Sequence, residues 1–337
     1  MKNLKNLGEF GLITSITKNF KHQLGNTVLP LGDDCAVYSG NASKYQLVST
    51  DALIENIHFK FSTISPEQLG QKAIAVNISD IAAMGGIPTR VLITLGVSKK
   101  VSSSFIAKLY NGIRKACTFY NIELFGGDTV SSPKCFFINV TIIGEAKPRK
   151  LFTRGGAKKG DLIFTTGTLG DSSLGLKLST SKNLKLSSKP RKYLIKKHLT
   201  PIPRLKESQL LARSNFKITS MIDISDGLVQ DLQHICKQSR TGAIIFEEKL
   251  PKSPAFSQVC NKNNWNPLPF ILQGGEDYEL LFTLPSDGVK NLNRQFKKAK
   301  ALVTQIGEMT ESINKVSLLR QNGKLEVFSQ SSGFNHF

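Results

Sequence analysis

Apolar and polar positions alternate along this chain in two rhythms, one of period two and one near 3.6, and the rhythms take turns. "YQLVST" is rich in strand formers and predicts a strand that closes on Asp51. "SPEQLGQKAIAVNISDIAAMGG" predicts a helix with Ser65 as N-cap, Pro66 at its first position and Gly85-Gly86 as its stop. Ala73, Asn77, Asp80 and Met84 fall three or four apart, which sets a carboxylate beside an amide on one small or apolar face. "TRVLITLGV" predicts a strand and "SSSFIAKLYNGIRKACTFY" an amphipathic helix. "IELFGGDT" and "CFFINVTIIGEA" supply two more strands, with Asp128 in a Gly-Gly turn after the first.

The basic, Gly-rich "AKPRKLFTRGGAKKGD" marks a boundary near residue 150, after which the mixed texture resumes. "DLIFTTG" predicts a strand leading into "GDSSLGLKLS", and a Lys- and Ser-rich insertion follows around residues 180 to 200. "PRLKESQLLARS" reads as helical. In "DGLVQDLQHICKQ" the positions Leu228, Val229, Leu232, Ile235 and Cys236 make one apolar face, with Asp226 as a candidate cap. "YELLFTLP" and "ALVTQIGE" predict strands. The expectation is two mixed α/β domains, residues 1–149 and 150–337.

Composition narrows the function classes. A chain of 337 residues with 40% hydrophobic content can bury two ordinary cores. No stretch approaches the roughly 20 apolar residues of a membrane span, and the start has no apolar run long enough for a signal peptide. A cytoplasmic location without membrane contact is therefore expected. Cys35, Cys117, Cys135, Cys236 and Cys260 are scattered, with no C-x-x-C, and are expected to be small buried apolar residues rather than disulfides or zinc ligands. The net charge of +20 raises nucleic acid as a partner. The lysines are diffuse, though, and do not interleave with aromatics, so a generally basic surface is the better reading.

The acids are the unevenly placed class. They gather in short small-residue phrases: "GDD", "STD", "ISD", "GGDT", "DISDG" and "GGED". Caps and turns explain any one of these, but clustered carboxylates cannot all ionise without cations. Hard divalent cations such as Mg2+ take oxygen ligands and share them with phosphates. No G-x-x-x-x-G-K-[ST] loop, kinase catalytic loop or dinucleotide fingerprint is present, so any ATP must be held mainly through metal on aspartates. Arg154, beside a Gly-Gly pair, is a candidate phosphate contact. His58 lies nearest an acidic phrase and is a candidate substrate contact. His198, His234 and His336 have no evident partner in the sequence and read as surface or satisfied histidines; no serine elbow supports a Ser–His–Asp hydrolase.

"GEFGLI", "GDDCAV", "STDALIENIHF", "KAIAVNISDIAAMGGIP", "GGDT", "TRGGAKKGD", "TGTLGDSSLGL", "IDISDGLVQDLQHI", "GGEDYELLFT" and "IGEMT" occur in the order seen in thiamine-monophosphate kinases, which the chain resembles from about residue 8 to its end. The resemblance implies ATP-dependent phosphorylation of thiamine monophosphate to thiamine diphosphate, the last step of thiamine diphosphate biosynthesis. It also implies the α/β two-domain fold of aminoimidazole ribonucleotide synthetase, its N-terminal domain binding ATP and Mg2+ and forming a homodimer. Carried over by motif, several Mg2+ ions would be held by Asp34, Ser49, Thr50, Asp51, Asp80, Asp128, Asp223 and Asp226. ATP would meet Tyr110, Gly127, Asp128, Arg154 and Ser225, and thiamine monophosphate would meet His58 and Glu276. Where the family often has Gly-Tyr-Asp near its end, this chain has Gly333-Phe334-Asn335, which keeps a ring for stacking in Phe334 and loses a hydroxyl. Asp33 is expected to support backbone geometry or to stand behind the metal ligands. Other ATP-using enzymes of this fold, the ribonucleotide and selenophosphate synthetases, are the alternative; the first cysteine, Cys35, falls after "GDD", which speaks against the selenophosphate enzymes. The acceptor is already a phosphate anion, so direct in-line transfer on metal-bound phosphates requires no strong base.

Overall fold

The computed structural model describes residues 4–20, 25–41, 43–181, 188–214, 216–328 and 333. Phe334, expected to stack on substrate, lies outside the described residues, as do Asn335 and His336.

After helix α1 (Leu4–Thr17) come strands β1 (Thr27–Leu29), β2 (Ala36–Asn41) and β3 (Lys44–Ile54), helix α2 (Pro66–Ala83), β4 (Ile87–Val97), α3 (Ser103–Tyr120), β5 (Glu123–Ser131) and β6 (Phe137–Ala146). The strands form one six-stranded sheet in the order β1-β2-β3-β6-β4-β5, with only β4 and β5 parallel. Strand alternation sends Leu47, Val91, Ile93, Leu95, Ile138, Val140 and Ile142 into a core on one face. Helices α2 and α3 contribute to that core through Leu69, Ile74, Ile78, Leu109 and Ile113. The α2 start is as expected: Ser65 accepts from the Gln68 amide while the Gln68 side chain accepts from Ser65, a complete capping box. The two helices cross closely because both lack a Cβ there. One added at Gly70 would sit 2.2 Å from the Leu109 carbonyl, and one at Gly112 2.0 Å from that of Glu67.

Two local expectations give way. Strand β3 runs past Asp51 to Ile54, because its pairing with β6 continues unbroken to Phe137. The Gly-Gly-Asp phrase is not a turn but the middle of β5, where Gly127 pairs with Ile93 and Asp128 with Thr94. A Cβ on Gly127 would lie 1.9 Å from the Ile93 carbonyl, so strand packing alone demands this glycine.

The second half comprises β7 (Leu162–Thr166), α4 (Asp171–Thr180), α5 (Ser188–Leu199), α6 (Leu205–Arg213), β8 (Ser220–Asp223), α7 (Leu228–Ser239), β9 (Gly242–Phe246), α8 (Pro254–Asn263), α9 (Leu268–Leu272), β10 (Leu280–Leu284), α10 (Val289–Lys298), β11 (Val303–Thr310), β12 (Val316–Leu319) and β13 (Leu325–Val327). A seven-stranded sheet in the order β13-β12-β9-β11-β7-β10-β8 has cores on both faces. Ile163, Ile222 and Leu281 face one core with the α7 residues named above; Phe164, Met221, Leu280 and Phe282 face the other. Part of the basic insertion is structural: α5 buries Leu194, whose carbonyl packs where Gly175 of α4 has no Cβ. The C-terminal end of α2 enters the second core through Ala82 and Ala83, and Ser208 of α6 donates to the Ala82 carbonyl at 2.5 Å. All five cysteines are free; Cys135 is half-buried and the other four are buried. Among the described residues no helix is long and apolar enough to cross a membrane.

Candidate functional site

The acids that α2, β3, β8 and the loop after β1 carry meet where the two halves face each other. Asp34, Asp80 and Asp223 each bring a carboxylate oxygen within 4.8 Å of the others. Each is partly supported from its own surroundings. Ser49 donates to Asp80 Oδ2 at 2.5 Å, and Ser79 to Asp223 Oδ2 at 2.6 Å. Arg154 donates from Nε (3.1 Å) and Nη2 (2.5 Å) to Asp34 Oδ1. Asp34 Oδ2 is buried with no hydrogen-bond partner among the described residues. Asp51 lines the same cleft, its amide donating to Asn77 Oδ1 at 3.2 Å, while the Asn77 amide group donates to the Ala73 carbonyl. The carboxylate-beside-amide face expected on α2 thus acts through Asn77 on the β3 backbone.

Burial and mutual repulsion push these carboxyls up. Asp80 rises well above the ordinary range, through burial first and then Asp51, Asp223 and Asp34. Asp223 is raised to about 8 by burial and by Asp34, with Ser79 and Arg154 opposing. Asp34 is raised by burial despite Arg154. A set of oxygen donors that repel one another, with one oxygen unsatisfied, fits a hard divalent cation. Asp33 is engaged elsewhere. Both its oxygens accept from the Arg154 amide, at 3.3 and 3.2 Å, and Oδ1 also takes the Asp34 amide at 3.1 Å. It thereby fixes the backbone of Asp34 and Arg154, the supporting part expected of it.

The α7 entry was only half legible. Ser225 and Asp226 line the cleft, but Asp226 does not cap the helix; the N-cap is Gly227, with no side-chain cap. Asp231, which sequence reasoning missed, accepts from the amides of Asp226 (3.2 Å) and Gly227 (3.1 Å) and holds this loop. The signal was its place in the first turn, where an acid meets the helix dipole. Asp226 accepts instead from Gln230 at 2.9 Å.

The cleft has a volume of about 980 Å³ and reaches from the acids to His58, Leu176, His198 and Glu276. His58 Nδ1 accepts from the Ile54 amide at 3.0 Å, which leaves the proton on Nε2 as a donor. Glu276 ion-pairs with Lys72 of α2 (Nζ to Oε1, 2.8 Å), and its Oε2 lies 3.0 Å from His198 Nδ1. Burial would raise this carboxyl, yet Lys72 and His198 hold it down at about 2. The "GGEDYEL" phrase divides its work. Asp277 accepts from the amides of Gly170 (2.6 Å) and Ser172 (3.1 Å) at the start of α4, and Glu279 takes Arg204 and the Thr166 hydroxyl. Glu276 and Tyr278 face the cleft, both with positive φ (64° and 51°). His198 is a satisfied buried histidine, also in contact with the Ser172 hydroxyl at 3.2 Å. His234 lines the cleft, and burial, with Arg154 and Lys237, pushes it down to about 4.

Four expected residues are not brought to this cleft. The Thr50 side chain projects from the opposite face of β3, toward Asn139, Thr141 and the Val140 carbonyl. Gly127 and Asp128 lie on exposed β5, and Asp128 accepts its neighbour Thr129's amide at 2.7 Å. Tyr110 lines a second groove with Ile87, Arg114, Cys117, Tyr120 and Leu124. The strand period separates Thr50 from Ser49 and Asp51, a consequence readable from the sequence once β3 is known to continue.

Residues 32–146 match the family model of the AIR synthase related protein N-terminal domain, and residues 158–318 match that of its C-terminal domain. The thiamine-monophosphate kinase of Buchnera aphidicola subsp. Schizaphis graminum is 38% identical over 329 residues, covering 98% of each chain. That of Bacillus subtilis is 35% identical over 332 residues, covering 98% of this chain and 100% of its own. Among solved structures, "AaThiL complexed with AMPPCP and TMP" has a TM-score of 0.86 at 35% identity and covers 100% of this chain and 99% of that one.

Proposed function

The chain belongs to the thiamine-monophosphate kinase family, within the AIR synthase related fold, and from that premise we propose that it transfers the γ-phosphoryl group of ATP to thiamine monophosphate. The observation that carries this reading is the convergence of Asp34, Asp80 and Asp223 in one cleft with Arg154, His58 and Glu276. The relative bound to AMPPCP and TMP supports the same pair of substrates.

Asp34, Asp80 and Asp223 would hold Mg2+, and Ser49, Asp51 and Asp226 line the same cleft as further candidate oxygen ligands. When bound, the cation neutralises phosphate charge and lets two polyanions approach. The protein's own groups do the rest. Arg154 presents a guanidinium anchored on Asp34, suited to a phosphate oxygen. His58 Nε2 donates to the acceptor phosphate, and Glu276 accepts from the acceptor molecule. No side chain needs to remove a proton, because the attacking oxygen belongs to an anion.

We read the chain as two domains divided at about 149/150, with ATP and Mg2+ contacts mainly in the first, acting in the cytoplasm as a homodimer. The edge strand β5, exposed along its whole length and carrying Leu124, Phe125 and Val130, supports self-association. Thr50, Gly127, Asp128 and Tyr110 are read as nucleotide or metal contacts completed in that assembly. The test is incubation with ATP, MgCl2 and thiamine monophosphate. Thiamine diphosphate should form, and thiamine should fail as acceptor; no product would refute the reading.

A further inference from the structure

Lys72 is a lysine buried whole, at 0% exposure, and nothing in the transfer chemistry above uses it. It sits on α2 among apolar neighbours, and its ammonium has no partner other than Glu276 among the described residues. Burying a lysine is costly, and a buried ion pair is seldom more stable than an apolar pair of similar volume. The pairing therefore calls for a reason beyond cohesion.

The carboxylate itself suggests one. Glu276 holds a left-handed backbone conformation, unusual for a residue with a Cβ, fixed by its amide donating to the Ser225 carbonyl at 2.7 Å. Its two oxygens are taken from different sides, one by Lys72 of the first half and one by His198 at the end of α5. His198 is in turn in contact with Ser172. The result is a carboxylate held in one orientation while its side chain stays about a quarter exposed to the cleft. With Lys72 cancelling its charge, Glu276 is suited to accept a hydrogen bond rather than to attract a cation.

We infer that Lys72 is a positioning residue for the acceptor substrate, acting through Glu276: it holds this carboxylate in one orientation, aimed at thiamine monophosphate. The inference rests on the kinase reading above. Because Lys72 and Glu276 come from different halves of the chain, acceptor recognition depends on the two halves being seated together.

Steady-state kinetics of Lys72→Met, Glu276→Gln and the double variant test it, alongside thermal melts. Lys72→Met should raise KM for thiamine monophosphate about tenfold or more while KM for ATP moves less than about threefold. In the Glu276→Gln background, Lys72→Met should add nothing to the acceptor KM, since its only route of action is gone. An acceptor KM unchanged in the single variant, or both KM values raised alike, would overturn the inference. If the single variant does not fold, the double variant decides, because it removes both charges together. Matching Glu276→Gln supports the role, and a further rise in acceptor KM overturns it. A wild-type protein inactive on thiamine monophosphate would instead refute the kinase reading itself.

Discussion

Replacing Asp80 by Asn should make the metal-free protein more stable and the metal-loaded protein inactive. Two ionised carboxylate oxygens 4.8 Å apart repel by about 3.5 kcal/mol at an effective dielectric of about 20. Asp80 faces two such neighbours, Asp34 and Asp223, so full ionisation would cost roughly twice that. Protons retained by the cluster reduce the cost, leaving on the order of 1–3 kcal/mol to be relieved by the neutral amide near pH 8. The Ser49 hydroxyl still has an oxygen to donate to, so no hydrogen bond need be lost. The pH dependence has a definite sign. Asp223 is raised to about 8 in the fold, so its contribution is largest below the ordinary carboxylate range, erodes as pH rises, and is gone once pH passes about 8. Melting curves in EDTA and in MgCl2, from pH 5 to 9, read all of this. In EDTA the variant should melt above wild type, increasingly so at high pH. In MgCl2 wild type should gain about 2.7 kcal/mol at a hundredfold excess over Kd, and the variant much less. A variant that melts below wild type in EDTA, or keeps the full Mg2+ shift, would refute the reasoning.

Three further substitutions probe separate parts of the site. His58→Ala should raise KM for thiamine monophosphate about five- to twentyfold and leave that for ATP nearly unchanged, because the imidazole, fixed by the Ile54 amide, lines the cleft; initial-rate kinetics against each substrate check it. Arg154→Lys should lower kcat/KM for ATP about ten- to a hundredfold, since an ammonium cannot reproduce two guanidinium contacts with Asp34. Phe125→Glu on the exposed strand β5 should bring the mass by light scattering down to 37.1 kDa, and an unchanged oligomer would remove β5 from the interface.

Much of this architecture could be read from spacing. The capping box of α2, the apolar face of α7 and the alternation of β6 are local signals, and each element formed where its pattern lay. The carboxylates were legible as a class because acids beside glycine and serine are poorly explained by packing. What could not be read was pairing across distance. Lys72 looks like one more surface lysine in "GQKAIAV" until α2 is seen wedged between the halves, and His198 meets Ser172 only when α5 folds onto α4 and Glu276 only when the loop before β10 closes on both. The four residues left outside the cleft show the converse limit. Motif order placed Thr50 and Asp128 with the cleft acids, whereas within this chain strand parity turns Thr50 to the opposite face of β3 and Asp128 lies on the edge strand β5.

Helix α2 belongs to the first half by sequence but to both by contact. One side lies on the six-stranded sheet, its end lies among Leu211, Met221 and Phe282, and Ser79 and Lys72 bond across to Asp223 and Glu276. The chain therefore cannot be cut near residue 150 into two self-sufficient pieces. Either fragment would expose an apolar seam and orphan a buried charge, so melting should be a single cooperative event. The seam also couples substitutions: neutralising Lys72 or Glu276 on one side leaves the other's charge unmatched across it.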